Sequence, residues 1–184
     1  MAAERELTIL EYVVLGLISV EPQSGYSIIT MLEAGTNRWS ASPGSIYPIL
    51  KRLESQGVIG GELEVVHETR PRKIYRLTAL GENLLDEWLR SPLRDSELLD
   101  ERDIVLIRFL FAEQRLSRQE VLAWLDQYEQ QTRVFDRTKR VFYEALVSQS
   151  SIHQQLIHEL TIMELNMQLT WIEMARRRLL THPD

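Results

Sequence analysis

The chain contains no cysteine. Disulfide frameworks, thiolate catalysis and cysteine-ligated zinc are excluded together. Histidine is scarce, and of the four present His153 and His158 are five residues apart in one helical stretch. That spacing points them well away from each other, unlike the i, i+4 pair that shares a metal. Glycine is also sparse, at 8 residues, and none of it forms a phosphate loop. No nucleophile elbow or zinc-protease motif occurs, so the sequence offers no residue set for enzymatic chemistry and predicts neither cofactor nor metal. Long apolar runs are missing too. The two longest, Tyr12 to Ser19 and Ile104 to Ala112, fall short of the ~20 residues that span a bilayer, and Arg108 interrupts the second. The N-terminus places acids before the first apolar stretch in place of a basic signal region, so the cytoplasm is the expected location and no membrane partner is expected.

What is present is the balance of a globular protein, 44% hydrophobic and 26% charged. A length of 184 residues suits one ordinary domain or two small ones. The net charge of -6 taken whole argues against a nucleic-acid binder. Its distribution argues otherwise. Between residues 36 and 81, the bases Arg38, Lys51, Arg52, Arg70, Arg72, Lys73 and Arg76 stand against Glu54, Glu62, Glu64 and Glu68, a local excess of three positive charges. One basic segment in an acidic chain can meet an anionic partner locally.

Thr8 with Glu11 forms a capping-box pattern ahead of Leu10, Val13, Val14, Leu17 and Ile18, which predicts a helix over 8–20. Ser24 caps a second helix that Gly35 stops. A third begins between Ser42 and Ser45 and runs to Gln56, with Gly57 as its stop; either Pro43 or Pro48 can occupy its first turn. The period then changes. Leu63, Val65 and His67 alternate with Glu62, Glu64, Val66 and Glu68, and Ile74 to Leu77 follow the turn Thr69 to Arg72, predicting a hairpin with a basic tip. Thr78 caps a further helix that Pro92 closes, and residues 91–96 read as a linker.

Beyond the linker the pattern is helical only. Ser117 with Glu120 opens a long helix whose Val121, Leu125, Tyr128, Thr132, Phe135, Lys139, Phe142 and Leu146 form a heptad-like seam. The last helix carries two stripes, one of Leu156, Leu160, Met163, Met167 and Met174, the other of Ile162, Leu165, Leu169 and Ile172. Two apolar stripes need two neighbours, and a second subunit is the economical source of one. An intramolecular three-helix bundle is the alternative. The acids Glu97, Asp100, Glu101 and Asp103 are read as a helix start, where the dipole favours them.

In the third helix Ile46, Ile49, Leu50 and Leu53 share one face and belong to the core. The opposite arc presents Gly44, Pro48, Lys51 and Ser55, flanked by Ser45, Tyr47 and Arg52: small, hydroxyl and basic residues that suit a major groove, though alone they equally suit a solvated face. The three bases Arg70, Arg72 and Lys73 at a hairpin tip do nothing for folding and tip the reading toward phosphate or minor-groove contact. The resulting expectation is a mostly α chain with a small β-hairpin wing: a winged helix-turn-helix over 1–92 and a helical dimerisation domain over 93–184.

The motifs are similar to those of the PadR family of transcriptional regulators. They are Gly25-Tyr26, the string SPGSIYPILKRLESQGVI from Ser42 to Ile59, RPRKIYRLTALG from Arg70 to Gly81, and IRFLFAEQRLSRQEVLAWLDQ from Ile107 to Gln127. The resemblance implies a homodimer joined through C-terminal helices that binds double-stranded operator DNA, represses nearby genes, and is released by a small aromatic or xenobiotic effector. It places Ser45, Tyr47 and Lys51 on the reading helix and Arg70, Arg72 and Lys73 on the wing. Arg52 serves as a phosphate clamp or as an intrahelical partner, and Tyr75 packs within the wing. The expected dimer contacts are Leu125, Phe135, Phe142, Leu156, Leu160, Met163 and Met167. Two rival readings stay open: a winged helix that binds protein alone, and a helical small-molecule binder built on Trp88, Trp124, Trp171 and the methionines.

Overall fold

A computed structural model describes residues 6–35, 42–64 and 71–182. The chain divides into two compact units, Met1–Leu89 and Arg90–Asp184. In the first, helix α1 (Ile9–Val20) starts at the predicted box, where the Thr8 side chain accepts from the Glu11 amide and the Glu11 carboxylate accepts from Thr8 N at 2.7 Å. Helix α2 (Gly25–Gly35) begins where the Ser24 hydroxyl accepts from Ser27 N. Helix α3 (Pro43–Ser55) is capped by Ser42, so Pro43 fills the first turn and Pro48 lies inside the helix, exposed, without the amide that Gly44's carbonyl would otherwise accept from. Gly57, at φ 70, turns the chain out of α3, in the left-handed region that a side chain would strain.

The hairpin consists of β2 (Ile59–Glu64) and β3 (Arg72–Leu77), antiparallel, with Gly61 opposite Tyr75 and Leu63 opposite Lys73. Its first strand starts earlier than the alternation suggests. A two-residue strand, β1 (Gln23–Ser24), joins the other edge of β3, giving the sheet order β1-β3-β2. The residues expected to form the hairpin's turn, including Arg70, lie outside the described residues. Helix α4 (Ala79–Arg90) follows, with Gly81 N donating to the Thr78 hydroxyl as the capping reading requires. Val14, Leu15, Ile28, Ile46, Leu50, Leu53 and Leu85 form the fully buried interior of this unit.

The second unit opens with a short helix, α5 (Asp95–Leu99), whose first two residues fall in the expected linker, followed by α6 (Arg102–Arg115). Two acids, Asp95 and Glu97, the latter from the expected helix-start cluster, occupy the first turn of α5. Glu97 does more than cap: it is buried, and Arg108 of α6 lies 3.4 Å from it while donating to the carbonyl of Ser91. Burial pushes the Arg108 guanidinium down to about 10, against the pull of Glu97. The apolar run thus holds a charge because its counter-charge is buried beside it.

Helices α7 (Arg118–Leu146) and α8 (Ile152–Thr181) pack on each other, joined by a 3-10 turn at Val147–Gln149. Their starts are capping boxes at Ser117/Glu120 and Ser151/Gln154. The core gathers Leu93, Leu98, Val105, Trp124, Leu125, Tyr128, Ile172 and Ala175. Within it the Tyr128 hydroxyl donates to Gln168 at 2.8 Å, and the Gln168 amide donates to the Leu98 carbonyl at 2.6 Å. The expected seam of α7 is therefore split. Val121, Leu125, Tyr128 and Thr132 are buried, Phe135 packs on the core's edge, and Phe142 is exposed. Leu125 is a correction to the expected dimer contacts: at 0% exposure its side chain is spent inside the protomer. A heptad spacing records that a face is covered and not by which chain.

Candidate nucleic-acid interface

Helix α3 turns Ile46, Ile49, Leu50 and Leu53 inward, which leaves Gly44, Tyr47, Pro48, Lys51 and Ser55 exposed. Ser45 is committed locally: its hydroxyl donates to the Ser42 carbonyl at 2.9 Å and accepts from Ser42 N at 3.0 Å. Tyr47 is half-exposed, and its ring lies over Gly25, where a Cβ would come within 2.6 Å of it. The glycine of the Gly25-Tyr26 pair thus seats an aromatic of α3 against the start of α2.

The bases predicted to face DNA are distributed unequally. Lys51 is exposed on α3. Arg52 instead reaches back to α1, where its Nε donates to Glu11 at 2.7 Å; the partner is neither phosphate nor a neighbour within α3, as expected from sequence, but a carboxylate 41 residues away. Glu11 also accepts from the Thr8 amide and hydroxyl. Burial raises its pKa, but hydrogen bonds from Thr8 and Arg52 outweigh that and hold it below the usual carboxylate value. On the wing, Arg72 pairs with Glu64 at 2.9 Å with both side chains more than half exposed. Lys73 donates to Glu54 of α3 at 2.7 Å, and this bond raises the ammonium pKa. Tyr75 is buried beneath, as wing packing requires, with the Lys73 ammonium 5.6 Å from its ring centre. Arg70 lies outside the described residues.

The acids were the residues missed from sequence. Glu11 carried a signal, since a capping-box acid already points at its own helix start. Glu54 carried none, because nothing in the local pattern of α3 points to Lys73 on the hairpin.

In the second unit, Phe142, Leu156, Leu160, Met163 and Met167 are more than half exposed. His153 is exposed, and the half-buried His158 stacks on Tyr143 with ring centres 3.9 Å apart. Among the described residues, no helix is long and apolar enough to cross a membrane.

Three helices with a strand between the first two, then an antiparallel hairpin packed beside the third, make the first unit a winged helix-turn-helix. The model of the transcriptional regulator PadR-like family matches residues 14–87, so the chain carries a PadR-like domain within its first unit. Among curated relatives, the negative transcriptional regulator PadR of Bacillus subtilis is 30% identical over 115 residues, a match covering 62% of this chain and 62% of that protein. A transcriptional regulator of Mycobacterium tuberculosis is 40% identical over 59 residues, which is 32% of this chain and 54% of that one. Among solved structures, Bacillus subtilis PadR in complex with operator DNA aligns over 95% of this chain and 99% of its own, at 24% identity and a TM-score of 0.44.

Proposed function

We propose that this transcriptional regulator binds double-stranded operator DNA as a homodimer in the cytoplasm, represses the genes it controls, and is released by a small aromatic or xenobiotic effector. The observation that carries the DNA reading is the exposed arc of α3, where Tyr47 and Lys51 stand out between small residues beside the Arg72-bearing wing. Small residues let the helix approach base edges, and the bases neutralise phosphates. Tyr47 and Lys51 face the groove, and Arg70 and Arg72 meet the backbone. Ser45 sets the helix start, and Arg52 and Lys73 are held by the protein's own acids. The name of the Bacillus subtilis relative supports repression. The C-terminal unit supplies the dimer through its exposed stripe, Leu156, Leu160, Met163 and Met167, with Phe135 and Phe142 alongside.

The test is the salt dependence of binding to a labelled duplex from upstream of its own gene. Lys51→Ala lowers the log-log slope by about one unit for each phosphate it leaves unneutralised. An unchanged slope overturns the assignment of Lys51, and no binding by the parent chain overturns the operator.

A further inference from the structure

Strands β2 and β3 turn Gly61, Leu63, Lys73 and Tyr75 to one face, since side chains alternate and Gly61 lies opposite Tyr75. Lys73 sits diagonal to Gly61, within reach across the empty position. Its ammonium crosses that gap to the carboxylate of Glu54, on the last turn of α3, at 2.7 Å. The glycine is what leaves the path open. A Cβ at Gly61 would run into the Lys73 Cε, would stand 2.8 Å from a Glu54 carboxylate oxygen and 3.0 Å from the Tyr75 ring. Nothing else in the hairpin reaches α3 by an ion pair among the described residues. The partner bases differ: Arg72 pairs within the hairpin, with Glu64.

We infer that Glu54, Lys73 and Gly61 form a latch that fixes the angle of the wing to the reading helix, so that Lys73 is a positioning residue and not a phosphate contact. The inference rests on the DNA-binding reading only for its consequence in affinity. A wing free to swing must be ordered at the moment of binding, and the latch sets it beforehand. A solvent-exposed pair of this kind is screened by water and contributes modestly, about fivefold in affinity for each wing.

Gly61→Ala makes the test selective. The two nearest atoms in its way are ends of flexible side chains, and the buried Tyr75 ring at 3.0 Å need give only slightly, so the alanine ejects the pair while keeping both charges and the strand. In the full chain, Gly61→Ala, Glu54→Gln and Lys73→Gln are each expected to weaken binding to the upstream duplex by about fivefold per wing, with the salt slope unchanged. Glu54→Gln combined with Gly61→Ala adds nothing further, and the exchange Glu54→Lys with Lys73→Glu restores affinity. A slope lowered by about one unit in Lys73→Gln, with Gly61→Ala at parent affinity, makes Lys73 a phosphate contact and overturns the inference. Amide hydrogen exchange across 59–64 and 72–77 supplies a readout without DNA. If the parent chain binds no duplex, the operator reading fails, while faster exchange there in all three variants, with α1 unchanged, keeps the latch. Unchanged exchange removes it.

Discussion

Glu11 is a nearly fully buried carboxylate with four donors on it: the Thr8 amide and hydroxyl, and two nitrogens of Arg52. Its folded pKa lies below the unfolded one, so its contribution is complete above the ordinary carboxylate range and fades as pH falls through the folded value. Glu11→Gln removes the charge and is expected to cost about 1–3 kcal/mol at neutral pH, read from urea unfolding, with a shallower acid limb than the parent. A variant as stable as the parent at pH 7 would show that Arg52 and Thr8 find equal partners in water. Glu120 makes a cleaner pH probe because it is exposed. Hydrogen bonds from the Ser117 amide and hydroxyl, then from Arg90, hold its carboxyl down at about 2, against an ordinary 4.5. The stability it supplies is therefore present above pH 4.5 and lost between 4.5 and about 2. Thermal midpoints of Glu120→Gln should decline less steeply than the parent's across that window, and parallel curves would remove the cap from the account.

At the scale of elements, the wing is tied to the helix behind it through a glycine. A Cβ at Gly81 would strike the carbonyl oxygen of Val58, to which Thr78 N also donates at 3.1 Å. Backbone cannot step aside as a lysine tail can. Gly81→Ala is expected to destabilise the first unit by about 1–3 kcal/mol in chemical denaturation, the usual penalty of overpacking, although alanine is the better helix former. No loss would mean that α4 shifts freely against β2. The starts of α1 and α7 were legible because each cap is a short local signal, Thr8 with Glu11 and Ser117 with Glu120, whereas that of α3 was legible only to within a few residues, since Pro43 and Pro48 both suit a first turn. Strand β1 was not, since two residues show no alternation and its pairing with Ile74 and Tyr75 is a tertiary event. The same holds for Arg108, which broke an apolar run on paper and is neutralised in space by Glu97. In the candidate interface, the inward and outward faces of α3 followed from spacing alone. Which bases were already occupied did not, because Glu11 and Glu54 approach Arg52 and Lys73 from other elements.

Over the whole molecule, the helical unit separates two kinds of leucine that look alike in a heptad. Leu125 is fully enclosed, so Leu125→Ala is expected to cost about 2–5 kcal/mol of stability. Leu160 and Met163 are 56% and 67% exposed in the protomer. For the proposed homodimer, replacing both with glutamate is expected to leave the chain folded by circular dichroism while sedimentation velocity moves from dimer to monomer. A double variant that still sediments as a dimer would place the interface elsewhere.

The bond from Tyr128 through Gln168 to the Leu98 carbonyl has a consequence for how that stripe is displayed. Apolar packing has little directional preference, so two long helices held by it alone could slide past each other and seat at several heights. A slip of one turn, about 5.4 Å, would strand a hydroxyl, an amide and a carbonyl without water, each at about 1–3 kcal/mol. The polar bridge therefore works as a notch: α8 has one seating against α7, and the exposed side chains from Leu156 to Met167 are held out at one fixed height.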